Sequence, residues 1–211
     1  MHIPDGFVAP HVYVPAYGVS ITLFIKYMKE FKKRVGSKSM PLLALLSAFS
    51  FSLMSITLPL PGGTSVHLEG IAVMSILMGP AVAFVCTTII LFLQAFLLGV
   101  GGVTTLPINL LAMGFIGGQT AYHVHRIIQK MWGDTPAVLI SAYLSVLVPA
   151  ILIGLVLGIH PILFRSASGQ PLYFPYPLSV TLPALIVPHA LAGLLESLYT
   201  LLIIRRVKYE G

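Results

Sequence analysis

Residues 80–98 read PAVAFVCTTIILFLQAFLL, 19 positions without one charged side chain. A bilayer core of about 30 Å takes about 20 apolar residues as a helix. The stretch therefore reads as a membrane span, and its surroundings agree. Of 211 residues, 57% are hydrophobic and 9% charged, and the mean hydropathy is +0.96. Soluble domains carry about 25% charged residues, so this chain lacks the polar groups to cover a water-facing globule. The same composition excludes a disordered chain. A single cysteine, Cys86, excludes a disulfide scaffold. The length leaves room for about six or seven spans with short loops, and none for a soluble ATPase or reductase domain.

Working outward, the apolar runs predict helices over 11–34, 41–58, 66–78, 80–98, 105–130, 136–158 and 179–205. The third is short, and Gly79-Pro80 separates it from the fourth. Charge tests the count. The cations cluster as Lys26, Lys29, Lys32, Lys33, Arg34 and Lys38, as Arg126 and Lys130, and as Arg205, Arg206 and Lys208, with Arg165 apart. Seven helices place all three clusters in the cytoplasm and Arg165 outside, as the positive-inside rule asks. Six would throw the Arg126–Lys130 loop outside. The expectation is an all-α integral membrane protein with seven transmembrane helices, forming one domain over 1–211. Its N-terminus lies outside and its C-terminus in the cytoplasm. The net charge of +6 and pI near 9.6 then follow from topology, and no nucleic-acid partner is expected. Residues 1–10 contain no Lys, no Arg and no A-x-A-like site, so this tail is expected to stay on the mature chain.

Orientation sorts the polar residues. His2, Asp5 and His11 of the tail lie outside, with the 59–66 loop leading into His67 and Glu69, the Val100–Thr105 turn, and the 159–178 loop with His160. His123 and His125 approach the cytoplasm. The groups able to converge on the outer face are mostly histidines, and polar groups at membrane depth are functional candidates because burying them is costly.

The sharpest candidate is the start of the chain. A free Met1 amine, the backbone nitrogen of His2 and the His2 Nδ1 can chelate one metal, closing a five-membered and a six-membered ring in one plane. Planar nitrogen sets suit Ni(II) and Cu(II) and accept Co(II). His67 is the obvious donor for the fourth position. Each residue also has a plainer reading. His2 alone reads as a solvated tail residue, His67 as a helix-end histidine, and His189 as a packed, hydrogen-bonded one. Asp5 reads as a turn cap, and Glu69 as an acid suited to a helix start. The eight methionines form no Met-x-x-Met array and read as core filler. No phosphate-binding G-x-x-x-x-G-K-[ST], no H-E-x-x-H and no G-x-S-x-G is present. Small residues recur at helical spacing. Gly114/Gly118 and Gly154/Gly158 read as packing inside the chain, and Ala44/Ala48/Ser52 as a docking face for a membrane partner.

The start Met1-His2-Ile3-Pro4-Asp5-Gly6 resembles the substrate-binding (S) component of cobalt/nickel energy-coupling factor (ECF) transporters, the CbiM/NikM family. Pro61-Gly62-Gly63-Thr64-Ser65-Val66-His67 is similar to that family's second metal motif. Ile76-Leu77-Met78-Gly79-Pro80, Gln94-Ala95-Phe96 and Gly101-Gly102-Val103-Thr104 continue the likeness, and Asn109 falls where the family carries an asparagine. From about residue 135 the likeness is one of hydropathy. It implies a six-helix S-component core with an added N-terminal helix and a tail tucked in from outside. It implies Ni(II) or Co(II) as transported ligand, with no cofactor, held by the Met1 amine, the His2 backbone nitrogen and imidazole, and His67. Asp5, Glu69 and Asn109 would stand around that set. The implied partners are a transmembrane coupling (T) protein, docking at Ala44 and Ala48, two cytoplasmic ATPases and a small accessory membrane subunit. The expected place is a prokaryotic plasma membrane, and the chain itself is no enzyme. His67-Leu68-Glu69-Gly70 departs from the Pro-Thr-Gly that many relatives carry after this histidine. The His-Ile-Pro-Asp-Gly start leans toward nickel. Two other readings compete: an S component for a vitamin, and a membrane metalloenzyme with Glu69 as its base.

Overall fold

The chain folds mostly into helices in the computed structural model, which describes residues 1–60 and 62–210. In order they are α1 (Pro10–Arg34), α2 (Met40–Ser55), the strands β1 (Leu58–Pro59) and β2 (Ser65–Val66), α3 (Ile71–Met78) and α4 (Pro80–Leu93). After α4 come a π-helical stretch (Gln94–Leu98), α5 (Leu106–Asn109), a second π-helical stretch (Leu110–Gly117), α6 (Gly118–Trp132), α7 (Asp134–Leu163) and α8 (Leu178–Glu210). Pro61 of the second motif, and the Lys208 side chain of the third basic cluster, lie outside the described residues.

Proline stands in the first two positions of α1, α2, α4 and α5, where its missing N–H leaves no helix bond unmade. Lys32, Lys33 and Arg34 end α1, where cations suit the helix dipole. Among the described residues, three helices are long and apolar enough to cross a membrane: Pro80–Leu98, Asp134–Leu163 and Leu178–Val207. Met40–Ser55 is apolar but shorter.

Several expected boundaries move. The third helix begins at Ile71, not 66, and its eight residues rise only about 12 Å. Ser65 and Val66 instead pair antiparallel with Pro59 and Leu58. The chain then runs extended to Gly70, whose left-handed φ of 73° starts α3. Helix α2 ends at Ser55 rather than 58, because the chain turns into β1. Helix α7 reaches Leu163, so His160 sits on a helix and not in the loop assigned to it.

Polar groups gather at the two ends of the bundle. At one end Arg34 lies against Gly79 and Arg205 bonds Thr135, while His125 pairs with Asp134. The tail, the β1–β2 hairpin, the 99–105 turn and the 164–177 loop gather at the other. The glycine pairs pack internally. A Cβ on Gly154 or Gly158 would fall within 3 Å of Leu182 or Leu178 of α8, and one on Gly114 would meet Leu110 and Thr87. Ala44, Ala48 and Ser52 are exposed along α2.

Candidate functional site

The tail is a buried plug, not a solvated arm. Met1 and Ile3 are fully buried, and His2 is 4% exposed. Its backbone is held by side chains far along the chain. Asn109, where α5 meets the second π-helical stretch, accepts from the Ile3 N–H (3.0 Å) and donates to the Ile3 carbonyl (3.2 Å). Thr105 Oγ1 and the Gly102 N–H donate to the same carbonyl at 2.5 and 3.0 Å. At the far end of the tail, His160 Nε2 accepts the Ala9 N–H at 3.2 Å.

Asp5 is exposed, and its role is to cap the facing turn. Its carboxylate accepts the Val103 N–H (3.1 Å), the Thr104 N–H (2.7 Å) and the Thr104 hydroxyl (2.5 Å). Partial burial pulls its pKa up, but these bonds from Thr104 and Val103 outweigh it and hold the carboxyl below its ordinary value. The turn can come this close because it carries two glycines. A Cβ on Gly102 would fall within 3 Å of Asp5 and Thr105. Gly101 has a φ of +77°, and a Cβ there would lie 3.0 Å from His2 Cδ2.

At the centre, the Met1 amine lies 2.6 Å from His67 Nε2. Hydrogen bonds fix both imidazole tautomers. His67 Nδ1 donates to the Leu68 carbonyl (3.1 Å), so Nε2 carries the lone pair that faces the amine. His2 Nε2 donates to Gln94 Oε1 (3.2 Å), and the Gln94 amide donates in turn to Ser55 Oγ (3.4 Å). The His2 lone pair is therefore on Nδ1, which is buried and has no partner. The two rings lie 4.5 Å apart, centroid to centroid. Burial lowers the amine pKa to about 5 against the pull of Glu69. Burial, then the nearby amine, lowers His2 to about 3 against the Gln94 bond. At neutral pH the site offers uncharged nitrogen lone pairs in a water-poor setting, which is the chemistry of a cation site. Among the described residues no three His, Cys, Asp or Glu side chains form such a set; the Met1 amine stands beside the two histidines as a further nitrogen. A cleft of ≈ 410 Å³ between the tail, the hairpin and the 99–101 turn has His2 in its wall.

The departure after His67 acquires a structural role. Glu69 is 1% exposed and interacts with the amine, so it faces the site and not the headgroups. Its backbone N–H and that of Gly70 donate to the two carboxylate oxygens of Glu196 on α8, at 2.8 and 2.9 Å. Tyr199 accepts from the Gly70 N–H as well (2.7 Å), and Ser50 donates to the Glu69 carbonyl. This cradle supports non-helical backbone inside the protein at the start of α3. His11 is exposed, and His123 and His125 lie at the opposite end; none of them joins the site. Sequence reasoning missed Gln94 as the His2 partner, and also Thr105, His160 and Glu196. Gln94 and Glu196 were visible as lone polar residues in apolar runs.

The structure is a bundle with three helices of membrane-spanning length among the described residues and with its own N-terminus buried among histidines, the architecture of an integral membrane protein. The chain matches the CbiM family, described as the cobalt uptake substrate-specific transmembrane region, over residues 2–209, and it belongs to that family. It is 36% identical over 216 residues to the "Probable fused nickel transport protein LarMN" of Lactiplantibacillus plantarum, covering 99% of this chain and 64% of that protein. It is 34% identical over 206 residues to the fused nickel transport protein NikMN of Rhodobacter capsulatus, covering 95% of this chain and 59% of that one. The chain thus spans less than two thirds of either fused relative. Its fold matches a crystal structure of a truncated transition metal transporter with a TM-score of 0.95 at 32% identity, over 100% of both chains. These relatives are transporters.

Proposed function

We propose that this chain is the capture component of a nickel or cobalt importer, with nickel the favoured substrate. The ion is held by the Met1 amine, the deprotonated His2 backbone nitrogen, His2 Nδ1 and His67 Nε2. The observation that carries this reading is the 2.6 Å approach of the amine to His67 Nε2 beside the orphaned His2 Nδ1. Metal–nitrogen bonds of about 2.0 Å put neighbouring corners of a square about 2.8 Å apart, so the amine and His67 already stand close to adjacent corners. A planar set with one anionic nitrogen suits Ni(II). Asn109 and Asp5 position the tail, and Glu69 offsets the charge of the ion.

The chain crosses the membrane seven times with its tail outside, the hairpin and residues 67–70 completing the depth that α3 does not reach. Uptake needs a transmembrane coupling protein and two ATPases. The exposed Ala44, Ala48 and Ser52 stripe is where the coupling protein docks, since small residues allow close helix approach. Calorimetric titration of Ni(II) and Co(II) into the purified chain tests the core of the reading. The expected result is tight one-to-one binding with Ni(II) ahead of Co(II). No binding of either ion refutes it.

A further inference from the structure

His189 on α8 is fully buried. Its Nδ1 lies 2.7 Å from the Leu185 carbonyl, which can only accept, so Nδ1 carries the proton and Nε2 the lone pair. That Nε2 is buried and has no partner. Among the described residues, few buried side-chain polar atoms are left so, and three of them are His2 Nδ1, Glu69 Oε1 and His189 Nε2. His189 stands two helical turns before Glu196 on the same face of α8, and Glu196 is the group that accepts from the Glu69 and Gly70 N–H beside the amine. From that position His189, like His2 and Glu69, interacts with the Met1 amine and also with His67. Unsatisfied buried groups are costly and rare. Three around one amine mark a place built to receive polar partners.

The chemistry of a metal-bound amine says what two of them await. In this structure an amine N–H is directed at His67 Nε2. An ion placed between those nitrogens takes both lone pairs and removes that hydrogen bond. The coordinated amine still carries two N–H bonds, polarised by the metal and shut away from water. They need two acceptors. His2 Nδ1 is occupied as a ligand, which leaves Glu69 Oε1 and His189 Nε2.

We propose that His189 is a positioning residue for the metal site, its Nε2 accepting a hydrogen bond from the metal-bound Met1 amine. The inference rests on the amine-anchored site proposed above. It gives the last helix a direct hold on the ligand set and leaves the metal itself planar and four-coordinate.

The test uses the full chain in detergent, titrated with Ni(II) and followed by its visible spectrum. His189→Leu removes the acceptor, and His189→Gln keeps one. The expected result is a 10–100-fold loss of affinity for the leucine variant, the usual scale for groups that orient metal ligands. The glutamine variant should recover most of it, and both should keep the planar Ni(II) spectrum. A leucine variant that binds like the parent overturns the role of His189. A parent spectrum that turns planar only after His189→Leu overturns it too, since His189 would then be an axial ligand. A copy extended by one N-terminal residue, run alongside, separates the two levels: if it binds like the parent, the amine-anchored site itself is wrong. Should the leucine variant not fold, ¹⁵N-histidine NMR of the parent decides. Diamagnetic planar Ni(II) should shift His189 Nε2 by a hydrogen-bond increment and His67 Nε2 by a larger ligation increment. No shift at His189 overturns the proposal.

Discussion

Adding one glycine before Met1 should cripple metal capture. The change converts a basic amine into an amide whose lone pair is delocalised. It also puts a new residue where there is no room, because Met1 is fully buried and its nitrogen sits 2.6 Å from His67 Nε2. Four-ligand transition-metal sites in small domains are worth about 10–16 kcal/mol. One ligand of four then accounts for roughly 2.5–4 kcal/mol, about a 10²–10³-fold loss in affinity. Displacing the tail would add to this, since the Asn109 and Thr105 bonds to Ile3 come from the same register. The assay is calorimetry of Ni(II) into parent and extended chains, with thermal unfolding as a control on folding. An extended, folded chain that binds within about threefold of the parent would refute the reasoning, because about 0.7 kcal/mol is too little for a lost ligand.

Other perturbations read separate parts of the structure. The Met1 amine and His2 have pKa values lowered to about 5 and about 3, so both are already neutral above about pH 6 and lose metal to protons only below that. If the His2 amide ionises on binding, log K should still rise by about one per pH unit between about pH 6 and 8; a flat profile there says the amide is not a ligand. Asn109→Ala removes both side-chain bonds to Ile3 and should weaken Ni(II) binding about 10–100-fold, by calorimetry. Glu196→Ala orphans the buried Glu69 N–H, which costs about 1–3 kcal/mol and should appear as a lower melting temperature; an unchanged one argues that water replaces the carboxylate. Ala48→Trp, on the exposed stripe of α2, should leave metal binding intact while stopping uptake in cells that carry the partners; unimpaired uptake moves the docking face elsewhere.

Hydropathy alone read α4, α7 and α8 well, because each is a long apolar run and helix is the form that satisfies its own backbone in lipid. It misread residues 66–70, which carry His67, Glu69 and Gly70 among their apolar neighbours, and whose extended backbone is held by Glu196, more than 120 residues away. No local pattern records such a partner. The site divides in the same way. Met1, His2 and His67 stand out in the sequence because chelate chemistry depends on ring size and on position at the chain start, and the structure places the three side by side. The groups that set the tautomers were not legible, since Gln94 meets His2 only after the first π-helical stretch turns its amide inward. His189 looked like an ordinary packed residue, and half of it is: one ring nitrogen is bonded within its own helix and the other is not.

The tail's long-range bonds also set an order of assembly. Met1 reaches His67, His2 reaches Gln94, Ile3 reaches Asn109 and Ala9 reaches His160, sequence separations of 66, 92, 106 and 151 residues. Residues 1–9 thus find their places only with partners far along the chain, and closing such large loops is slow. A chain interrupted before α7 lacks the clamp on Ala9 and cannot seat its beginning fully. The seated tail, with the Met1 amine against His67, is then a property of the finished molecule alone.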